Sequence, residues 1–138
     1  MSAVKKLILS VMAFALLSAL LYYFVYASPN ARWNSPQRYI LDQFYQAFQT
    51  RDYSMISPLV FDRNPQMVIN IRFWYGDVKS YHIQTIRSIS SSEKQAVITV
   101  TSLREGKEHR NTDTILLAKQ DGGWAITSYN SDLEYKLP

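Results

Sequence analysis

The sequence predicts an α+β fold, in which one N-terminal transmembrane helix precedes a small domain. Three observations lead to this fold class. Residues 7–27 form one uninterrupted apolar stretch, LILSVMAFALLSALLYYFVYA. In the first half of the remaining chain, apolar residues recur at helical spacing. In the second half the period changes to two residues, which is the alternation typical of β-strands.

The apolar stretch has two competing interpretations. It follows Lys5 and Lys6, and Val25-Tyr26-Ala27 fits a cleavage site, so a secretory signal removed after Ala27 is one of them. The other is a retained membrane anchor, because about 20 apolar residues cross roughly 30 Å of hydrocarbon. The stretch carries no charge and ends in aromatic residues that suit the lipid headgroup layer. These features favour the anchor, and they disfavour a buried core helix.

Both main interpretations place the domain outside the cytoplasm. Lys5 and Lys6 should remain on the cytoplasmic side under the positive-inside rule, so in a bacterial host the domain lies outside the membrane. The chain contains no cysteine, which excludes disulfides, a thiolate metal site and a catalytic thiol. Its 15 basic and 11 acidic residues are interspersed, so no nucleic-acid partner is expected.

The predicted organisation has four parts. Residues 1–27 are the anchor or signal peptide, and residues 28–35, SPNARWNS, have the turn composition of a linker. Residues 36–130 form one domain, since about 110 exported residues are too few for two hydrophobic cores. Residues 131–138 are a polar tail without a motif.

Helices are predicted in the first half of the domain. Ser35 and Pro36 carry the N-cap and first-turn signals of a helix start. The apolar face of this helix is predicted to consist of Leu41, Phe44, Tyr45 and Phe48. A second, short helix is expected over residues 53–60 with Asp52 as its cap. A third is expected over residues 67–75, ending at Gly76, and a strand over residues 67–74 is the alternative.

Four strands are predicted in the second half, over residues 81–89, 96–103, 108–119 and 124–129. Their connections are short. A polar turn occupies residues 90–94, Glu105-Gly106 forms a hairpin turn, and residues 121–123 carry the strong turn sequence Asp-Gly-Gly. Three successive short connections indicate an antiparallel meander.

Two segments carry a family resemblance, ILDQFYQAFQTRDYSMISPLV and VKSYHIQTIRSISSSEKQAVITVTSLREGKEHRNTDTILLAKQDGGWAITSY. Together they resemble the NTF2-like superfamily over roughly residues 36–130. The resemblance implies a cone of about three helices packed on a curved four-stranded antiparallel sheet, and a homodimer, but it fixes no activity. The nearest likeness is to exported bacterial domains of the DUF4878 and lumazine-binding-like kind. A second likeness is to the periplasmic domains of VirB8-type conjugation proteins, which also follow one membrane helix.

The resemblance also suggests where catalytic groups would lie. NTF2-like enzymes such as ketosteroid isomerase and scytalone dehydratase place acid, base or tyrosine groups inside the cone, where burial shifts pKa values. The candidates in this chain are His82, Asp52 and Asp77, with Asp62, Tyr75, Tyr81 and His109 as weaker ones. The three leading candidates also have structural interpretations, because Asp52 suits a helix cap, Asp77 a turn, and His82 a strand whose register is undetermined. No metal-ligand spacing or nucleotide-binding motif occurs, so no metal or cofactor is expected.

The aromatic residues have two interpretations, as the hydrophobic core or as the lining of a ligand cavity. The core is favoured. The cavity candidates are Phe44, Phe48, Trp74, Tyr81 and Trp124. A polar outer face of the sheet is predicted from Thr99, Thr101, Ser102, Thr112 and Thr114. Such a face suits contact with a partner protein.

The leading functional hypothesis is a non-enzymatic, membrane-anchored, extracytoplasmic domain that acts through contacts with other envelope proteins, as in a secretion assembly. The linker would span at most about 28 Å and so keep the domain near the bilayer. Two alternatives remain open. One is a carrier of small hydrophobic ligands that uses the cone interior, and the other is an acid–base enzyme of the isomerase or dehydratase type.

Overall fold

The N-terminal apolar stretch forms a helix that continues to the edge of the domain. The computed structural model describes residues 2–60 and 76–132. Helix α1 spans Ala3–Tyr22 and continues as a π-helical segment over Tyr23–Ala27. No residue of α1 is buried. By length and composition this helix is able to cross a membrane, a property that it shares with signal sequences.

Helix α2, Ser35–Thr50, forms as the apolar spacing predicts. Its predicted face is confirmed as buried, with Leu41, Phe44, Tyr45 and Phe48 each at most 3 % exposed. The cap differs from the prediction, because Ser35 is the first helical residue and Asn34 occupies the N-cap position without capping the helix. Asn34 is engaged elsewhere in the domain. The helix ends at Arg51, whose left-handed backbone (φ 58°) stops further turns.

The second predicted helix is replaced by two short 3₁₀ turns, Tyr53–Met55 and Ser57–Leu59. Pro58 lacks a backbone N–H and cannot continue a helical hydrogen-bond ladder, which limits the segment to single turns. Asp52 does not cap a turn through its side chain. Instead it accepts a hydrogen bond from Ser54 Oγ at 2.6 Å. The third predicted helix, over residues 67–75, and its strand alternative lie outside the described residues.

The antiparallel meander is confirmed. Strands β1 (Asp77–Ser90), β2 (Glu93–Arg104), β3 (Lys107–Gln120) and β4 (Gly123–Ser131) lie in the order β1-β2-β3-β4, with every neighbouring pair antiparallel. At the β2–β3 turn, Glu105 and Gly106 both have positive φ, 52° and 75°. This pair of left-handed residues is the backbone that the tightest hairpins require.

The two faces of the sheet differ in burial. Helix α2 packs on the inner face, where apolar residues of β2 and β3 alternate with outward-pointing ones. The buried sheet residues of the core are Val78, Ile83, Ile86, Ala96, Ile98, Val100, Ile115, Leu117 and Ile126. The predicted outer set is correct for the threonines at 99, 101, 112 and 114 but wrong for Ser102, which is 1 % exposed. Because adjacent strand residues point to opposite faces, Ser102 lies inward beside Val100.

Candidate functional site

A buried carboxylate interrupts the apolar inner face of the sheet. Asp113 in β3 lies opposite Ile98 in β2 and is 0 % exposed. Tyr45 in α2 donates a hydrogen bond to its Oδ2 at 2.6 Å. Asn111, two residues earlier on the same face of β3, donates to its Oδ1 at 2.8 Å. One helix and one strand therefore hold both oxygens of a carboxylate inside the core.

Further polar and aromatic contacts extend this cluster to strands β4 and β1. Asn111 Nδ2 also lies 2.8 Å from Ser131 Oγ in β4. The ring of Tyr45 stacks on Tyr81 of β1, with centroids 4.9 Å apart. Tyr81 in turn donates to Asp42 Oδ1 at 2.8 Å, at a half-buried position. We call Asp113, Tyr45, Asn111 and Ser131 the buried polar cluster.

The buried polar cluster contains a group that titrates near neutral pH. Burial raises the pKa of Asp113 from 3.8 to about 7, although hydrogen bonds from Tyr45, Ser131 and Asn111 act in the opposite direction. Burial, together with the charge of Asp113, raises the pKa of the Tyr45 hydroxyl well above its usual value. The hydroxyl therefore remains a donor while the carboxyl exchanges a proton. Such a pair is chemically able to act as a general acid or base towards a group that reaches it.

Sequence reasoning missed Asp113, although a signal for it is present. Asn111, Asp113, Ile115 and Leu117 alternate in β3 and are all buried. Asn111 and Asp113 therefore point to the same inner face of the sheet as the core residues Ile115 and Leu117. A charged residue in the apolar phase of a strand indicates a buried, hydrogen-bonded group.

The three leading catalytic candidates lie away from this cluster and on the surface. His82 is exposed and pairs with Thr99, on the outer side of the sheet. Asp52 is exposed at the end of α2. Asp77 is exposed at the start of β1, where it forms an ion pair with Arg51 at 2.6 Å. The structure therefore does not bring these three side chains together.

The cavity candidates that the structure describes are core residues or pack against the core. Phe44 and Phe48 are buried, with ring centroids 5.2 Å apart. Tyr81 and Trp124 are partly buried and pack against the same cluster of side chains. Trp74, like the weaker candidates Asp62 and Tyr75, lies outside the described residues. His109 is exposed, and within residues 2–60 and 76–132 no group of three histidine or acidic side chains is placed to hold a metal ion.

An open polar groove of about 360 Å³ lies beside the outer face of the sheet. Its lining residues are Gln84, Thr99, Arg110, Asn111, Thr112 and Asp132. Asp132 Oδ1 accepts a 2.6 Å hydrogen bond from the backbone N–H of Thr112, which fixes the carboxylate at the rim. The groove thus offers one cation, one anion and hydroxyl groups to a polar partner.

A second buried polar group joins the apolar helix to the domain. Asn34 is 0 % exposed. Its Nδ2 lies 3.3 Å from the carbonyl oxygen of Tyr26, 2.9 Å from that of Ser28 and 3.1 Å from that of Ile86 in β1. Lys94 in β2 donates to Asn34 Oδ1 at 2.8 Å. The end of the helix, the segment that follows it and two strands therefore meet at one side chain.

Lys94 completes this junction from the inner side of β2. Its ammonium group also donates to the carbonyl oxygen of Trp33 at 2.8 Å and lies 5.6 Å from the ring centroid of Trp124. Burial lowers the pKa of Lys94. Neutral oxygens and an aromatic face thus offset the loss of water around the cation.

Comparison with known proteins supports the fold and no more than the fold. No known family matches the sequence, and no curated protein matches it. The structure is similar to an NTF-2 like protein of unknown function from Shewanella oneidensis MR-1, with a TM-score of 0.59 and 16 % identity, over 70 % of this chain and 96 % of that one. It is also similar to a SEC-C motif containing protein from Rhodopseudomonas palustris, with a TM-score of 0.56 and 16 % identity, over 66 % of this chain and 74 % of that one.

A third similar structure is described as Rd1NTF2_04 with long sheet. Its TM-score is 0.54 at 19 % identity, over 68 % of this chain and 97 % of that one. Together with the α+β architecture, these similarities show that the chain has an NTF2-like fold behind an N-terminal apolar helix. Since this fold hosts many activities, function has to be argued from the residues.

Proposed function

We propose that this chain is a single-pass membrane protein, with its N-terminus in the cytoplasm, whose NTF2-like domain lies outside the cytoplasm and acts by contact with other envelope proteins. The main support for retention of the helix as a membrane anchor is the burial of Ala27, which is 5 % exposed at the end of the apolar helix. Cleavage after Ala27 would remove a residue that packs in the domain.

Cleavage at that position would also break hydrogen bonds that the domain makes with the helix. The carbonyl of Tyr26 accepts from Asn34, and the hydroxyl of Tyr23 donates to the carbonyl of Gln84 in β1 at 3.1 Å. A secretory signal is discarded, so nothing requires its last residues to fit the mature domain. These contacts favour retention of the helix, and Lys5 and Lys6 favour a cytoplasmic N-terminus.

The support for protein contact comes from the outer face of the sheet. Helix α2 covers the inner face, while β2 and β3 present half-exposed threonines and aliphatic residues outward. These residues are Val97, Thr101, Thr112, Thr114 and Leu116. A mixed apolar and hydroxyl surface flanked by the polar groove is compatible with a non-obligate protein interface, which is about as apolar as the rest of a protein surface.

The anchor is tested by the mass of the mature protein. Purified from membranes, the chain should have the full mass of 16.0 kDa and should stay in the pellet after extraction with alkaline carbonate. A mature chain that begins at Ser28, or a carbonate-soluble chain, would overturn the proposal.

The contact face is tested by photocrosslinking in intact membranes of the native host. A photoreactive amino acid at Thr101 or Thr114 should give a crosslinked species of discrete mass. The same group at Tyr39, an exposed residue of α2, is the matched control and should give none. Equal crosslinking at all three positions, or none at Thr101 and Thr114, would refute the outer sheet face as the contact site.

A second candidate function, acid–base catalysis inside the cone, is favoured by one observation. Asp113, whose pKa burial raises to about 7, accepts a hydrogen bond from Tyr45 within the core. Isomerases and dehydratases need such a group to move a proton near neutral pH. A screen for turnover of small hydrophobic carbonyl compounds tests this candidate. Activity that Asp113→Asn abolishes, with the fold intact, would support it over protein contact.

A further inference from the structure

The segment between the two helices is folded rather than extended. The Ser28 N–H bonds to the Tyr23 carbonyl at 2.7 Å, the Ala31 N–H to that of Ser28 at 3.1 Å, and the Asn34 N–H to that of Ala31 at 2.9 Å. A 3₁₀ turn, Arg32–Asn34, then leads directly into α2. Residues 28–35, expected from composition to be a linker, thus leave little freedom between the apolar helix and the domain.

Side chains fix this segment to the sheet as well. Asn34 reaches the carbonyl of Ile86, and Lys94 reaches the carbonyl of Trp33, so β1 and β2 both hold it. Tyr23 reaches β1 from inside the apolar helix. Because these contacts are spread over several residues, the helix axis and the domain have a defined relative orientation.

The length of the helix sets which residues meet the lipid headgroups. At about 1.5 Å per residue, roughly 20 residues cross the hydrocarbon. Counted from Leu7, the first residue of the apolar stretch, such a span ends at Tyr26. The ring of Tyr26 lies 5.9 Å from that of Trp33 and 5.5 Å from that of Tyr22. Trp33, although it belongs to the folded segment, is therefore at the depth of the last helical turn.

Exposure and charge fit this placement. Trp33 and Tyr26 are 50 % and 57 % exposed, and their neighbouring rings extend the exposed apolar surface of the helix onto the folded segment. Arg32, next to Trp33, is exposed as well. An aromatic belt with an adjacent cation is the pattern that favours the phosphate layer of a phospholipid bilayer.

We propose that the domain rests on the phospholipid headgroup layer in one fixed orientation, with Trp33 and Arg32 inserted at the level of the phosphates. This inference depends on the anchor argued above and specifies what the anchor does. Along β2, Lys94 at the junction and Arg104 beside the hairpin are separated by about 33 Å at 3.3 Å per residue. The β2–β3 hairpin therefore lies far from Trp33 and Arg32 along the sheet.

Single-cysteine labelling of the full chain tests the orientation, since the protein has no natural cysteine. Arg32→Cys places an environment-sensitive fluorophore at the proposed contact. Lys107→Cys, at an exposed position of the distal hairpin, is the matched control. Both proteins are reconstituted in phosphatidylcholine–phosphatidylglycerol vesicles, with or without a lipid that carries a spin label on its headgroup.

The spin-labelled lipid should lower the emission of the fluorophore at position 32 about twofold or more and leave that at position 107 nearly unchanged. Equal quenching at both positions, or none at position 32, in a chain that resists carbonate extraction would overturn the fixed orientation alone. A chain that carbonate extracts from the vesicles would overturn the anchor and, with it, this inference.

Replacement of Arg32 removes the cation itself, so a second measurement uses tryptophan. With Trp74→Phe and Trp124→Phe, Trp33 is the only tryptophan, because the chain contains three. Lipids brominated near the headgroup should quench Trp33 more strongly than lipids brominated near the end of the acyl chain. The reverse order, or no quenching, would contradict the proposed depth.

Discussion

Tyr45 and Asp113 are joined by a 2.6 Å hydrogen bond across 68 residues of sequence, and neither side chain is more than 1 % exposed. The bond connects the only long helix of the described domain to the third strand. It stabilises an ionisable group in surroundings that disfavour its charged form. The stability of the domain should therefore depend on pH through this pair.

The first prediction concerns Asp113→Asn. Folding raises the pKa of Asp113 from 3.8 to about 7, so its contribution to stability is complete below about pH 4 and is lost as pH rises to about 7. The difference between these two pKa values corresponds to a change in the free energy of unfolding of at most about 4 kcal/mol. Relative to Asp113→Asn, the natural protein should lose stability over this pH range, as measured by urea unfolding of the full chain in detergent. A difference between the two proteins that stays constant with pH would contradict the assignment.

The second prediction concerns Tyr45→Phe, which leaves the carboxylate with one donor fewer. At pH 8, where Asp113 is ionised, the change should lower the free energy of unfolding by about 1.5–3 kcal/mol, because the lost hydrogen bond involves a charge. At pH 5 the loss should be smaller. Tyr39→Phe, at a residue of the same helix that is 65 % exposed, is the control and should change stability by less than about 0.5 kcal/mol. Equal losses at both pH values would refute the charge-dependent bond.

The third prediction concerns Asn34→Ala at the junction. The carbonyl oxygens of Tyr26, Ser28 and Ile86 would each lose the contact with Asn34 Nδ2, although that of Ser28 keeps a second donor, the Ala31 N–H. Lys94 would also lose an acceptor, so the free energy of unfolding should fall by about 2–4 kcal/mol. Asn30→Ala, four residues earlier and exposed, is the control. Hydrogen exchange should also become faster in β1 around Ile86. A variant as stable as the control would show that the junction contributes little.

The fourth prediction separates a steric clash from a backbone preference at two glycines. Gly76 has φ +61°, and a Cβ there would lie 2.6 Å from the carbonyl oxygen of Leu103. Gly106 has φ +75°, with nothing within 4 Å of the same position. Replacement of Gly106 by Ala should cost about 1 kcal/mol for the left-handed backbone alone. Gly76→Ala should lower the free energy of unfolding by more, because β1 or β2 must also shift to relieve the clash. Equal losses of stability for the two variants, measured by thermal unfolding, would exclude the clash.

Patterns that repeat locally were sufficient to predict most of the described fold. The buried face of α2 follows from the spacing of Leu41, Phe44, Tyr45 and Phe48, and the meander follows from alternation and short turns. Both signals arise between residues a few positions apart. The polar character of Ser102 predicts an outer position, but the two-residue period places it in phase with Val100 and therefore on the inner face.

The candidate site was not predictable in the same way. Tyr45 meets Asp113 only after the sheet folds onto the helix, and Asn34 meets Ile86 and Lys94 across 52 and 60 residues. No local pattern encodes such pairings. The alternation of Asp113 with Ile115 does show that the carboxylate points inward, but it does not show which helix residue it meets.

Strand β1 forms an outer edge of the described sheet, and Tyr23 and Asn34 both bond to its main-chain oxygens. The C-terminal end of the apolar helix thus shields part of an edge strand whose free backbone groups would otherwise be able to pair with other chains. A version of the protein shortened to begin at Ser28 for ease of handling would lose the Tyr23 contact and uncover the backbone at Gln84. Self-association of such a shortened protein would therefore reflect the truncation, and the native oligomeric state has to be measured on the full chain in a bilayer.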